Sequence, residues 1–154
     1  MTLAKIRLEG MRMVKQISVF IENRKGRLAE LTGLLRQHGI DLKALSIADT
    51  TNFGILRCIV DDPDQAIGVI REAVFTANLT EVLAVEVPDV PGGLAGILDL
   101  LAEADISVEY LYSFVRTHGK SALILFRVEA TEKARQLLIS RDVNVLTAQQ
   151  VYEL

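Results

Sequence analysis

Ile17, Val19 and Ile21 alternate with Gln16, Ser18 and Glu22. A two-residue period predicts a half-buried strand over 14–22. After a polar turn at 23–26, Leu28, Leu31, Leu34, Leu35 and His38 fall at helical spacing. Gly39 stands where a helix ending favours a left-handed residue, so the spacing predicts a helix over 27–38. Strands follow at 42–49 and 55–60, around a turn at 50–54. Asp62-Pro63 reads as an N-cap with proline at the first helical position. That helix is predicted to run to about residue 77, with Ala66, Ile67, Ile70 and Val74 on one face. Residues 81–87 return to strand.

The same order then recurs. Gly26-Arg27-Leu28-Ala29 returns 66 residues later as Gly92-Gly93-Leu94-Ala95. Leu28, Leu31 and Leu35 return as Leu94, Ile97 and Leu101, Ile40 as Ile106, and Leu45 as Leu111. The second copy has a turn at 91–93, a helix over 94–104, and strands at 108–115 and 122–128 joined through His118-Gly119. Thr131 is placed to cap a helix bearing Ala134, Leu137 and Leu138, and a closing strand is predicted near 146–152. Little linker separates the copies, so the strand at 81–87 serves as the last of one and the first of the other. The pattern predicts an α+β fold of two ferredoxin-like βαββαβ units, their antiparallel sheets covered by helices on one face. The expected division is a disordered leader or mis-assigned start at 1–13, one domain at 14–82 and another at 83–154. Met11 and Met13 are alternative start residues.

Composition narrows the function classes. Half of the 154 residues are hydrophobic, which suffices for packed cores. No apolar run approaches the ~18 residues of a membrane helix. A net charge of −3, few aromatic residues and no Trp argue against a nucleic-acid surface. Cys58 is the single cysteine, and His38 and His118 are far apart, so neither an internal disulfide nor a metal-ligand cluster is expected. Cys58 lies between apolar neighbours and reads as core. No nucleophile–base constellation can be assembled in register, so the expectation is a cytoplasmic protein that is not an enzyme and needs no cofactor.

The loops carry a resemblance. Asp89-Val90-Pro91-Gly92-Gly93-Leu94 resembles the D-x-P-G-x-L loop of ACT domains. Glu22-Asn23-Arg24-Lys25-Gly26-Arg27-Leu28 resembles the E-N-R-P-G-x-L loop of the regulatory domain of phosphoglycerate dehydrogenase, and Gly39-Ile40-Asp41 that domain's G-[VI]-N. Over 14–154 the chain is similar to stand-alone tandem ACT proteins of bacteria. The resemblance implies binding of a free amino acid where ACT units pair, through the loop between first strand and first helix and the residue after that helix. It points to Asn23, Lys25, Gly26, Arg27, Leu28 and Asp41 in copy one, and to Asp89, Pro91, Gly92, Gly93, Leu94 and Ser107 in copy two. The sequence departs from the pattern at Lys25, which stands where the family has proline, at the charged Asp41 and at the shorter Ser107.

The chemistry of these positions fits an amino acid. Unpaired N–H groups and a partial positive charge at a helix N-terminus suit a carboxylate. Asn23 and Asp41 can accept from an ammonium group. The bland alternative is that Gly26 and Gly92 only shape the turn, Asn23 and Asp89 satisfy turn donors, and Asp41 and Ser107 begin strands. Arg24, Lys25 and Arg27 favour the first copy as the stronger anion site, because the copy-two loop has Asp89 and no cation. Tyr110, Tyr112 and Phe114 fall on one side of a strand, and three exposed rings predict self-association, most simply as a homodimer. The functional expectation is a sensor that signals to a partner enzyme. The alternative is an interaction module that oligomerises without a small ligand.

Overall fold

Most of the hydrophobic periods form the elements they imply. In the computed structural model, which describes residues 12–49, 52–114 and 121–154, β1 (Val14–Glu22) leads to α1 (Arg27–Gln37), β2 (Leu42–Asp49), β3 (Phe53–Val60), α2 (Pro63–Glu72) and β4 (Ala77–Pro88). The order repeats as α3 (Gly93–Glu103), β5 (Val108–Ser113), β6 (Ser121–Val128), α4 (Thr131–Ser140) and β7 (Val145–Leu146), followed by α5 (Ala148–Tyr152). Part of the expected leader, Thr50 of the first turn, Val115 and the His118-Gly119 tip lie outside the described residues.

The chain forms two compact units. The N-terminal unit comprises Lys15–Thr80 with Tyr152–Leu154, and the C-terminal unit Glu81–Val151 with residues 12–14. Strand order is β2-β3-β1-β4 in the first, and β5-β6-β4 with β7 also against β4 in the second. The pairs β1/β3, β2/β3, β4/β6, β5/β6 and β4/β7 are antiparallel. These are two ferredoxin-like units, as the periodicity predicts.

The two cores are built alike. Ile17, Val19, Ile21, Leu56 and Cys58 pack with Leu31, Leu35, Ala66 and Ile70 in the first. Leu83, Val85, Val87, Ile124 and Phe126 pack with Ile97, Leu101, Ala134 and Leu138 in the second. Burial pushes the Cys58 thiol up to about 12, so it stays protonated, as suits a core side chain. Burial extends beyond the helix-covered faces. Gln16 is fully buried with its amide donating to Ser18 Oγ at 3.1 Å. Tyr112 and Phe114 are 9% and 8% exposed. The aromatic face from which a dimer was expected is therefore no free patch on the chain, and that motive for self-association lapses.

Helix endings differ from the expectation in an instructive way. The second helix stops at Glu72 rather than near 77. Val74 N–H donates to Arg71 O at 3.0 Å and Phe75 N–H to Ile70 O at 3.2 Å, with Val74 at φ 65°. This is a Schellman ending with a β-branched residue in the left-handed position. Gly39, Asp105 and Asp142 occupy the same position after α1, α3 and α4, and only the first is a glycine. The left-handed region costs a non-glycine residue about 1–2 kcal/mol, and Val74 is 86% exposed, so it gains little from packing. Val74→Gly should therefore stabilise the protein by about 1 kcal/mol, seen as a higher urea midpoint. An unchanged or lower midpoint would contradict the strain.

Two other local expectations are corrected. The closing strand is only Val145–Leu146, and Ala148–Tyr152 is helical. Thr147 and Gln150 form a reciprocal cap, Gln150 N–H donating to Thr147 Oγ1 at 3.2 Å and Thr147 N–H to Gln150 Oε1 at 2.8 Å. That T-x-x-Q pattern is a helix-start signal competing with the apolar alternation. Thr131 is the first residue of α4, not its cap, which is Ala130.

Candidate functional site

At the end of β1 the chain turns through Asn23, Arg24 and Lys25 into α1. Asn23 N–H donates to Asn52 O at 3.0 Å, and Arg24 N–H to Glu22 O at 2.8 Å. Gly26 occupies the N-cap position at φ 81°, and no side chain caps the helix. Gly92 does the same for α3 at φ 86°. Arg27 N–H donates to Arg24 O at 3.3 Å and Gly93 N–H to Val90 O at 3.0 Å, so with no capping side chain the next N–H groups of each first turn are the ones available to water or an anion. A Cβ at Gly26 or Gly92 would meet nothing within 4 Å, so the requirement at both is backbone conformation rather than space.

The cations around Gly26 are not equivalent. Arg24 pairs with Glu22 at 2.7 Å. Arg27 turns away from the loop opening, with its guanidinium stacked over Phe75 at 3.8 Å and paired with Glu30 at 2.8 Å. Its side chain is 13% exposed and its Nε is buried without a hydrogen-bond partner. Arg27 thus fastens the start of α1 to the turn after α2. Lys25 is exposed.

A hollow of about 150 Å³ opens beside this loop, lined by Ile21, Glu22, Asn23, Arg24, Leu28, Ile47, Asp49 and Gly54. Asn23 and Leu28 were expected on sequence grounds. Glu22 and Arg24 flank Asn23 in the chain, and Arg24 was expected as one of the loop's cations. Ile47, Asp49 and Gly54 were not expected, because cross-strand register brings them in: Ile21 faces Gly54, and Gly54 faces Asp49. Leu28 and Ile47 are 40% and 45% exposed on the helix side of the sheet. Leu45 and Leu111, on the same sides of their sheets, are 42% and 37% exposed. The helices leave β2 and β5, the outermost strands of their sheets among the described residues, partly uncovered.

Asp41 is not in this hollow. Leu42, next to it, pairs with Val60, whereas Asp49 at the other end of β2 pairs with Gly54. The 8 residues of β2 rise ~3.3 Å each, which puts its ends roughly 23 Å apart. Asp41 instead pairs with Lys43 at 2.9 Å, and its N–H donates to Asp61 Oδ1 at 3.0 Å. The C-terminal unit repeats the arrangement. Ser107 precedes Val108, which pairs with Val128, while Asp89, Pro91, Gly92, Gly93 and Leu94 follow Pro88, which pairs with Ser121. In each unit the loop residues and the residue after the helix lie at opposite ends of the sheet.

The chemistry of the remaining candidates is quiet. His38 Nδ1 lies 3.0 Å from Leu34 O at the end of α1. Among the described residues no group of three or more His, Cys, Asp or Glu could hold a metal ion. Among them, too, no helix is long and apolar enough to cross a membrane.

Comparison with known proteins agrees with this fold. A family described as an ACT domain pair matches residues 12–154. A protein of Bacteroides thetaiotaomicron with a solved structure is 38% identical, over 92% of this chain and 97% of that one, with a TM-score of 0.87. The regulatory subunit of aspartate kinase from Thermus thermophilus, in its ligand-free form, is 15% identical over 83% of this chain and 92% of its own, with a TM-score of 0.62. The corresponding subunit from Thermus flavus is 14% identical over 84% and 93%, with a TM-score of 0.59. At those identities the likeness is one of fold. No curated protein matches the sequence.

Proposed function

The chain belongs to the ACT domain pair family, and on that premise we propose that it is a non-catalytic regulatory protein that binds a free amino acid where the β2 edges of two copies meet. The observation that carries this reading is the separation of Asn23 from Asp41 by the whole length of β2. A two-fold axis through the middle of β2 would pair it antiparallel with its counterpart. The Asp41–Lys43 ion pair of one copy would then arrive beside the Asn23 hollow of the other. Such a contact is self-complementary and closes as a dimer. The unpaired backbone groups of an edge strand provide the template, and the exposed Leu45 loses water when it forms.

The assembled site suits a zwitterion. Lys43, Lys25, the Asn23 amide and the open N–H groups of α1 face a carboxylate. Asp41, Glu22 and Asp49 face an ammonium, and charge-assisted bonds of this kind are about twice as strong as neutral ones. The ligand then reports on, and stabilises, the pairing of two copies, which is the state a partner enzyme would read.

The test has two stages. A thermal-shift survey of the twenty amino acids should find a stabilising ligand, worth about 2.7 kcal/mol at a hundred times its Kd. Asn23→Ala and Asp41→Ala should each abolish that shift. When the two variants are unfolded and refolded together, mixed dimers should regain one intact site each, roughly a quarter of all sites under statistical two-fold pairing. Recovery of nothing, or ligand binding by a monomer, would place the site within one copy and end the interface reading. A dimer that binds no amino acid favours the purely structural module.

A further inference from the structure

We infer that the N-terminal hollow selects an amino acid with a branched aliphatic side chain, and that the equivalent place in the C-terminal unit takes none. The inference rests on the proposed amino-acid site and adds the class of its ligand and the number bound.

The hollow has two characters. Glu22, Asn23, Arg24 and Asp49 supply charge and hydrogen-bonding groups, and Ile21, Leu28 and Ile47 supply an apolar wall. Leu28 and Ile47 are large apolar side chains left 40% and 45% exposed, and a ligand's aliphatic groups would cover them. Gly54 forms the floor. A Cβ there would stand 3.6 Å from Ile47 Cγ2, 3.7 Å from Ala48 O and 3.8 Å from Ile21 O, so the missing methyl group leaves usable room. A glycine inside a strand is otherwise unfavourable and often marks a close approach by a ligand or backbone. The hollow is small, about 150 Å³, which suits an aliphatic side chain of three or four carbons better than an indole.

The repeat supplies an internal control. Ile47 faces Leu56 as Ser113 faces Ile124, so Ser113 replaces the apolar wall. Gly54 faces Ile21 as Ala122 faces Val87, so a methyl group fills the floor. Pro88 stands for Glu22, facing Ser121 as Glu22 faces Phe53. Val90 stands for Arg24 at the same 66-residue offset. Among the described residues, the C-terminal counterpart thus lacks the Glu22 carboxylate, the Arg24 cation, the isoleucine and the open floor together, and it carries Asp89 where the first unit has the neutral Asn23.

Calorimetry on the intact protein with leucine, valine, serine, aspartate and lysine tests this. Leucine or valine should bind at one per chain, and serine at least about tenfold more weakly, a difference of 1.4 kcal/mol. Ile47→Ser imports the C-terminal residue at a half-exposed edge position, and Gly54→Ala fills the floor. Each should weaken leucine at least about tenfold, with the thermal midpoint in the absence of ligand confirming that the variant is folded. If serine, aspartate or lysine binds more tightly than leucine, the aliphatic inference is overturned while the amino-acid site stands. Leucine at two per chain overturns the assignment to one unit. If none of the twenty amino acids binds, the proposed function fails and this inference with it.

Discussion

Phe126→Ala should destabilise the protein by about 3–5 kcal/mol, the range for removing a buried aromatic ring. Phe126 is fully buried on β6, facing Leu83 on one side and Leu111 on the other, in the core of the C-terminal unit. Truncation removes the apolar surface of a ring and leaves a cavity that close-packed neighbours fill only in part. The N-terminal unit shows why the position does not tolerate shrinkage by itself. The residue equivalent to Phe126 is Cys58, facing Leu45 and Ile17. The N-terminal core places its ring at Phe75 instead, where the C-terminal core has Val143. Phe75 N–H bonds to Ile70 O as Val143 N–H bonds to Leu138 O, so the two positions correspond. One unit combines a small strand residue with a large turn residue, and the other reverses the sizes. Phe126→Ala leaves both positions small. Urea unfolding should show a lowered midpoint with an unchanged slope. A loss below about 1 kcal/mol, well under the range for such truncations, would mean that the ring is not packed as described.

Gly93→Ala should be the most damaging substitution in either loop, at about 3 kcal/mol, the upper end for forced overpacking. A Cβ on Gly93 would clash with Pro88 O and stand 3.0 Å from Pro88 C, and both are backbone atoms with no rotamer to change. The turn from β4 into α3 must open to admit it. Gly92, at φ 86°, would place a Cβ in open space, so Gly92→Ala should lose only the conformational cost of about 1–2 kcal/mol. The ordering is the test. If chemical denaturation finds Gly92→Ala the worse of the two, the close approach of Pro88 to Gly93 is not a constraint on the fold. Gly93 corresponds to Arg27, which carries the longest of side chains at the same position. The two loops therefore share a sequence pattern while differing in backbone clearance, and the departure at Lys25, where the second loop has Pro91, falls within that difference.

Much of the fold was legible because its signals are local. Ile17, Val19 and Ile21 face one way in any extended chain, and Leu28, Leu31 and Leu35 share a stripe on any helix. Asp62-Pro63 names a helix start for reasons held within four residues, and Asp62 does accept from Gln65 N–H at 3.0 Å. Where the structure departs from these local signals, two of them compete or one is missing. Residues 73–77 continue an apolar pattern that a left-handed Val74 interrupts, and no glycine marks it. Thr147 and Gln150 cap a short helix where alternation suggested a strand.

Sequence alone determined the two βαββαβ units, their repeat, the cores beneath the helices and the loops at which α1 and α3 begin. Periodicity and turn chemistry are properties of neighbouring residues, and burying one face of each element leaves few arrangements. Tertiary structure alone decided how the candidate site is composed. Register between strands remote in sequence set Asp49 and Gly54 beside Asn23 and carried Asp41 to the far end of β2. Packing turned Arg27 from the loop to Phe75 and left Leu28, Leu45 and Ile47 uncovered at a sheet edge. Those outcomes depend on contacts between distant segments, whose free energy is realised only when the whole unit closes, and no window along the chain contains them.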